Sequence, residues 1–102
     1  MVAYTICQTE EFQDWLDALA DRRAQVRIAA RLRHAEQGNL GDWKTVGGNV
    51  SEMRVSIRPG YRLYFTRRGK AEIVMLIGGS KASQLRDIKR ARHLAMRLRH
   101  ES

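Results

Sequence analysis

The hydrophobic spacing of this chain changes twice along its length, and those changes limit the folds open to it. Phe12, Trp15, Leu16 and Leu19 recur at the spacing of a short amphipathic helix. Thr9 stands where an N-cap belongs, and Glu10 and Glu11 suit the positive end of the helix dipole. Asp21 offers a second cap, ahead of Ala24, Ile28, Leu32 and Ala35 on one side and Arg23, Arg27, Arg31 and Glu36 on the other. Gly38-Asn39 ends that helix, because glycine reaches the left-handed conformation at little cost. Before the helical hairpin, Val2 to Cys7 reads as a strand rich in β-branched and aromatic residues.

The period then shortens to two. Trp43 to Val46 reads as a short strand closed by Gly47-Gly48-Asn49. From Ser51, Met53, Val55 and Ile57 alternate with Glu52, Arg54, Ser56 and Arg58. After Pro59-Gly60, Tyr61, Leu63 and Phe65 alternate with Arg62, Tyr64 and Thr66. A two-residue loop would mix the faces, and proline excludes the type I′ turn, so an odd loop of three residues is expected with Gly60 near the left-handed position. One hairpin face then gathers the apolar residues, and the other carries Arg54, Arg62 and Tyr64, with Arg58 near the turn.

Arg67-Arg68-Gly69-Lys70 reads as a second turn, and Ala71 to Ile77 is so continuously apolar that a central strand covered on both faces is expected. Gly78-Gly79 breaks it. Ser80 or Ser83 then caps a last helix, with Leu85, Ile88, Ala91, Leu94 or Ala95, and Leu98 along its apolar side. The order is β-α-α-β-β-β-β-α. This predicts an α+β fold: a mostly antiparallel twisted sheet with an N-terminal helical hairpin and a C-terminal helix, in a single domain spanning 1–102.

Charge is placed unevenly. Residues 1–50 carry 6 Lys/Arg against 7 acids, and residues 51–102 carry 13 against 4. Solubility alone requires no such asymmetry, whereas an anion-binding C-terminal half does. No apolar run approaches a membrane span, and the N-terminus has no basic-then-apolar secretion signal, so a soluble cytoplasmic protein away from membranes is expected. There is no Walker loop, and Gly78-Gly79 lacks dinucleotide-binding spacing. One cysteine, Cys7, and the scattered His34, His93 and His100 make no zinc site, so neither metal nor cofactor is implied. Cys7 and Trp15 read as packing, and the histidines as surface.

What remains is a basic, tyrosine-bearing constellation of Arg54, Arg58, Arg62, Tyr64 and Lys81. Converging guanidiniums on a sheet bind phosphate in bidentate fashion, and a tyrosine beside them stacks on a base or handles a proton.

Two strings carry a resemblance. Glu52-Met53-Arg54 leads to Pro59-Gly60-Tyr61-Arg62-x-Tyr64-Phe65, and Leu76-Ile77-Gly78-Gly79-x-Lys81-x-Ser83-Gln84 leads to Asp87-Ile88-x-x-Ala91. Together they resemble the RelE/ParE superfamily of bacterial toxins, and specifically its addiction-module killer branch, which is RelE/HigB-like. The resemblance covers essentially the whole chain and implies a RelE-like fold. It also implies the toxin of a type II toxin–antitoxin module, with a cognate antitoxin (a DNA-binding repressor) as partner.

RelE-like members are ribosome-dependent mRNA interferases, whereas ParE-like members inhibit DNA gyrase without being enzymes. The interferase reading implies ribosome and mRNA as partners and metal-independent attack of a ribose 2′-OH on its phosphate. Carried onto this chain, Arg62 would stabilise the transition state, Arg54 would hold the phosphate or assist proton transfer, Tyr64 or Asp87 would take the proton role, and Lys81 completes the catalytic set. Arg58, Lys44, Ser83, Gln84, Arg86, Lys89 and Arg90 are the expected RNA- or phosphate-binding residues. The helix tyrosine of the RelE type is replaced here by Ile88, and no histidine matches the HigB type.

Overall fold

Local chemistry sets the ends of the first elements. In the computed structural model, which describes residues 3–101, β1 (Thr5–Gln8) runs into Thr9, whose hydroxyl accepts the Phe12 N–H at 3.0 Å and starts α1 (Glu10–Asp17). Val2, expected to open that strand, lies outside the described residues. Asp21 starts α2 (Arg22–Glu36) in the same way, accepting the Arg23 N–H at 2.9 Å. Gly38, at φ +96°, ends it: the Gly38 N–H returns to the Ala35 carbonyl and the Asn39 N–H to that of His34, closing a Schellman motif.

Four strands follow: β2 (Trp43–Gly47), β3 (Val50–Val55), β4 (Tyr61–Arg68) and β5 (Glu72–Ser80). A 3₁₀ turn over Lys81–Ser83 leads into α3 (Gln84–Glu101). This is the element order read from the sequence. The sheet runs β1-β5-β4-β3-β2, with β1 and β5 parallel and the other pairings antiparallel, so the fold is α+β. β5 is covered on both faces as its unbroken apolar run required, but the middle place in the sheet belongs to β4.

The β3–β4 loop corrects one expectation. Val55 pairs with Tyr61, so the loop spans 56–60 and is longer than three residues. Its length is still odd, and the expected faces survive: Met53 and Val55 stand opposite Leu63 and Tyr61. Gly60 takes φ +95°, and the Arg58–Pro59 peptide is cis.

Helices cover both faces of the sheet. On one side α1 and α2 bury Phe12, Ile28 and Leu32 against Met53, Leu63 and Phe65. On the other, α3 lays Ala91 and Ala95 over Tyr64, Val74 and Leu76. Leu85 was expected on the apolar side of α3, yet it is 85% exposed, and Asp87 takes a buried place instead. The packed stripe of α3 runs through Asp87, Ala91 and Ala95, and Leu85 falls outside its arc. Among the described residues no helix is long and apolar enough to cross a membrane.

Candidate functional site

Register assembles the site. Arg54 pairs directly with Arg62, and Arg62 with Gly79 on its other side. One row along, Lys44 faces Glu52, Glu52 faces Tyr64, and Tyr64 faces Ile77. All of them project to the face that α3 covers. Strand alternation carries no sign of that cover, which changes what each residue can do.

Tyr64 is fully buried in the cluster beneath α3. Burial, with the Glu52 and Asp87 carboxylates nearby, pushes its phenol well above the usual value. Its hydroxyl has no hydrogen-bond partner among the described residues. A phenol so placed neither stacks on a base nor gives up a proton at neutral pH, so the structure sets it in the core and not on an open catalytic face.

Glu52 is the unexpected member. Alternation placed it among outward polar residues, yet its side chain is 1% exposed. Its Oε1 lies 3.2 Å from Nε of Arg62, whose own side chain is only 12% exposed. The N–H does not point at that oxygen, so the contact is an ion pair and not a hydrogen bond, and neither atom has a hydrogen-bond partner among the described residues. The other carboxylate oxygen, Oε2, accepts from the Gln84 side-chain amide at 3.1 Å. Arg62 is therefore held between the sheet and the start of α3 with its charge partly balanced.

The first turn of α3 closes the cluster. Ser83 donates its hydroxyl to Asp87 Oδ2. Asp87 sits so close over β5 that a Cβ on Gly79 would strike it, which is why the strand must be glycine there. Ser83 and Gln84, expected to touch RNA, thus make internal hydrogen bonds.

The remaining predicted residues divide into paired and open groups. Arg54 lies 3.4 Å from Asp42 at the edge of the sheet. Arg90 grips Glu11 with two bonds of 2.7 and 3.0 Å, tying α3 to α1, and this holds the Glu11 carboxyl below the usual carboxylate range. Lys44, Arg58, Lys81 and Lys89 are exposed, and so is Arg86, although its Nε lies 4.0 Å from Asp87 Oδ1. The backbone N–H of Lys81 donates to the Gly60 carbonyl at 3.0 Å, so this lysine stands over the turn that leads into Arg62. A cavity of about 540 Å³ adjoins, bounded by Trp15, Tyr61, Gly79, Ser83 and Arg86. The geometry brings Arg54, Arg62 and Lys81 to one end of the sheet as a cationic rim, and places Lys89 and Arg90 along α3.

Sequence reasoning missed Glu52 as part of this cluster and named Asp87 only as the alternative to Tyr64 for the proton role. The signal for Glu52 was present: once the hairpin register is set, Glu52 is a diagonal neighbour of Arg62, within reach of a long side chain. Nothing local marks the burial of Asp87, since it depends on where α3 lands.

No protein-family model matches the chain. An uncharacterized protein of Haemophilus influenzae is 38% identical over 90 residues, spanning 88% of this chain and 91% of that protein. Among solved structures, a double arginine-to-alanine mutant of E. coli toxin RelE in the free state superposes with a TM-score of 0.65. It is 18% identical and covers 87% of this chain and 98% of that chain.

Proposed function

The chain belongs to the same family as the Haemophilus influenzae protein and has a RelE-like fold, and from that premise we propose that it is the toxin of a type II toxin–antitoxin module, acting as a ribosome-dependent mRNA interferase of the RelE/HigB-like branch. One observation carries the reading: Arg54 and Arg62 stand side by side across β3 and β4, with Lys81 over the adjoining turn. Such a rim suits an RNA phosphate whose charge grows during attack by the neighbouring 2′-OH.

In this reading Arg62 stabilises the phosphorane-like transition state, while Arg54 and Lys81 hold the scissile strand. The 2′-OH displaces the 5′-oxygen of the next nucleotide, leaving a 2′,3′-cyclic phosphate. Arg58, Lys44, Arg86 and Lys89 meet flanking phosphates of mRNA or of the ribosome. The proton of the 2′-OH passes to a ribosomal or substrate group, because Tyr64 is buried and Glu52 sits behind Arg62. The partner that restrains the protein is a cognate antitoxin, and the site of action is the cytoplasm.

The burial of Tyr64 favours a second reading, a ParE-like gyrase inhibitor that needs no proton-transfer group. Two assays separate them. An interferase yields ribosome-dependent cuts in a defined mRNA and leaves purified gyrase supercoiling untouched; the reverse pattern would replace the first reading with the second.

A further inference from the structure

The cavity of about 540 Å³ beside the Arg62 rim is a cleft between α1 and the start of α3, with the end of β5 as its floor. β1 accompanies β5 only as far as Met75, and Thr9 then takes the carbonyls of Met75 and Leu76 with its N–H and its hydroxyl. Beyond that point no strand among the described residues lies on this side of β5. Gly78 and Gly79 border the cleft, and having no side chains they present only main chain to it.

The two walls differ. Successive strand residues face opposite sides of a sheet, and the Trp15 ring closes on Gly78 while the Asp87 carboxylate closes on Gly79. The cleft therefore wraps the strand edge, aromatic on one face and polar on the other. Trp15 is partly buried and backed by the Tyr61 ring at 6.2 Å. On the polar wall, Asp87 Oδ2 accepts from Ser83, while Oδ1 meets Arg86 only at 4.0 Å, beyond hydrogen-bond length.

Charge separates the cleft from its surroundings. Its four charged residues cancel: Glu11 is paired with Arg90, and Asp87 stands near Arg86. The cleft is thus formally neutral in a chain of formal charge +8, and the Asp87 carboxylate repels a phosphate. Yet Arg62 pairs directly with Gly79 in the floor, and Lys81 follows the last residue of β5. A neutral slot with an aromatic wall opens beside a cationic rim.

We propose that this cleft holds one unpaired nucleobase of a single strand whose phosphates lie on the Arg62–Lys81 rim. The base packs on Trp15, its polar edge meets the main chain of Gly78 and Gly79, and its exocyclic amino group donates to Asp87 Oδ1. The volume falls within the roughly 300–1,000 Å³ of small-ligand sites. A strand from another protein would also seek an open edge, but the free stretch 78–80 is shorter than the usual strand of about 5–6 residues. That the cleft takes a base is read from its walls; that the base belongs to the mRNA being cut rests on the interferase reading.

The test titrates the isotope-labelled full chain with short oligoadenylate and, in parallel, with an abasic strand of the same length and charge. The expected result is that oligoadenylate shifts the Trp15 indole N–H and the Gly78 and Gly79 amides, while the abasic strand moves only rim residues such as Lys81. A strand of purine riboside, which lacks just the amino group, binds about tenfold more weakly than oligoadenylate, as loss of a hydrogen bond to a charged group implies. Trp15→Leu weakens oligoadenylate at least about fivefold and leaves the abasic strand unchanged, and the wild-type shifts decide the matter if that variant does not fold. Equal Trp15 shifts with the abasic strand, no shift at Trp15 and Gly78 with any strand, or equal affinity for the adenylate and purine strands would each overturn the proposal. Such a failure leaves ribosome-dependent cleavage untouched, whereas loss of cleavage with the Trp15 shifts intact would count against the interferase reading alone.

Discussion

Replacing Arg62 with alanine does two things at once. It removes the guanidinium from the cationic rim, and it strands the buried Glu52 carboxylate without its partner. Breaking a buried pair from one side costs about 3–5 kcal/mol, a large share of the roughly 5–15 kcal/mol that holds a domain together. Loss of activity in Arg62→Ala would therefore mix chemistry with unfolding. Arg62→Lys keeps a cation beside Glu52 but loses the planar fork. It is expected to unfold at nearly the wild-type urea midpoint while cleaving about 10²–10³-fold more slowly. Normal cleavage by the lysine variant would show that the fork is not what the reaction needs. Tyr64→Phe tests the neighbouring residue. It removes a buried hydroxyl that has no partner among the described residues, so stability should hold or rise by up to about 1–3 kcal/mol, with cleavage unchanged. A folded but inactive Tyr64→Phe would restore the tyrosine to the catalytic set. At this scale the cationic members of the site were legible, because strand alternation and a turn fix which side chains share a face. Their burial was not, since period-two patterning says nothing about which helix lies on top.

Elements are locked together by contacts between residues far apart in sequence. Gly78 is one such lock: a Cβ there would run into the Trp15 ring, which α1 presses onto β5. Gly78→Ala should lower stability by about 1–3 kcal/mol through overpacking, and an unchanged urea midpoint would mean that α1 shifts freely. Two carboxylates are lowered by the partners that folding gives them. Arg68 and, secondarily, the Cys7 thiol donate hydrogen bonds to Glu72 and hold its pKa at about 2. Glu11 is lowered chiefly by its hydrogen bonds from Arg90. A carboxylate lowered by folding adds stability that is complete above its unfolded pKa of about 4.3 and fades as pH falls through the folded value. Stability should thus decline between about pH 5 and pH 2, and Glu72→Gln should flatten that decline. Glu11→Gln should cost at most about 1 kcal/mol at neutral pH, because the pair is partly exposed. An unaltered acid profile in Glu72→Gln would remove it as the titrating group. The element order and both early caps were legible in the sequence, since Thr9, Asp21 and Gly38 act through neighbours a few residues away. The length of the β3–β4 loop and the exposure of Leu85 were not, because both follow from where β4 and α3 dock.

For the molecule as a whole, the fold sorts its charge. Acids outnumber bases in residues 1–50, and the positive excess lies in the hairpin, the strand ends and α3. One groove lies beside the Arg62 rim and another under the far half of α3. A surface that grips RNA through phosphates should lose ribosome affinity steeply with salt, and pelleting with ribosomes across a salt series reads this directly. Salt-independent co-sedimentation would point to contacts of another kind. The central claim is that the Arg62 rim cleaves mRNA on the ribosome. The most direct measurement is primer extension on a defined mRNA in a purified translation system, comparing wild type with Arg62→Lys. The account predicts cuts at A-site codons that require ribosomes and fade in the variant. Intact mRNA with the folded wild-type protein present, or cuts of equal strength with both proteins, would contradict it.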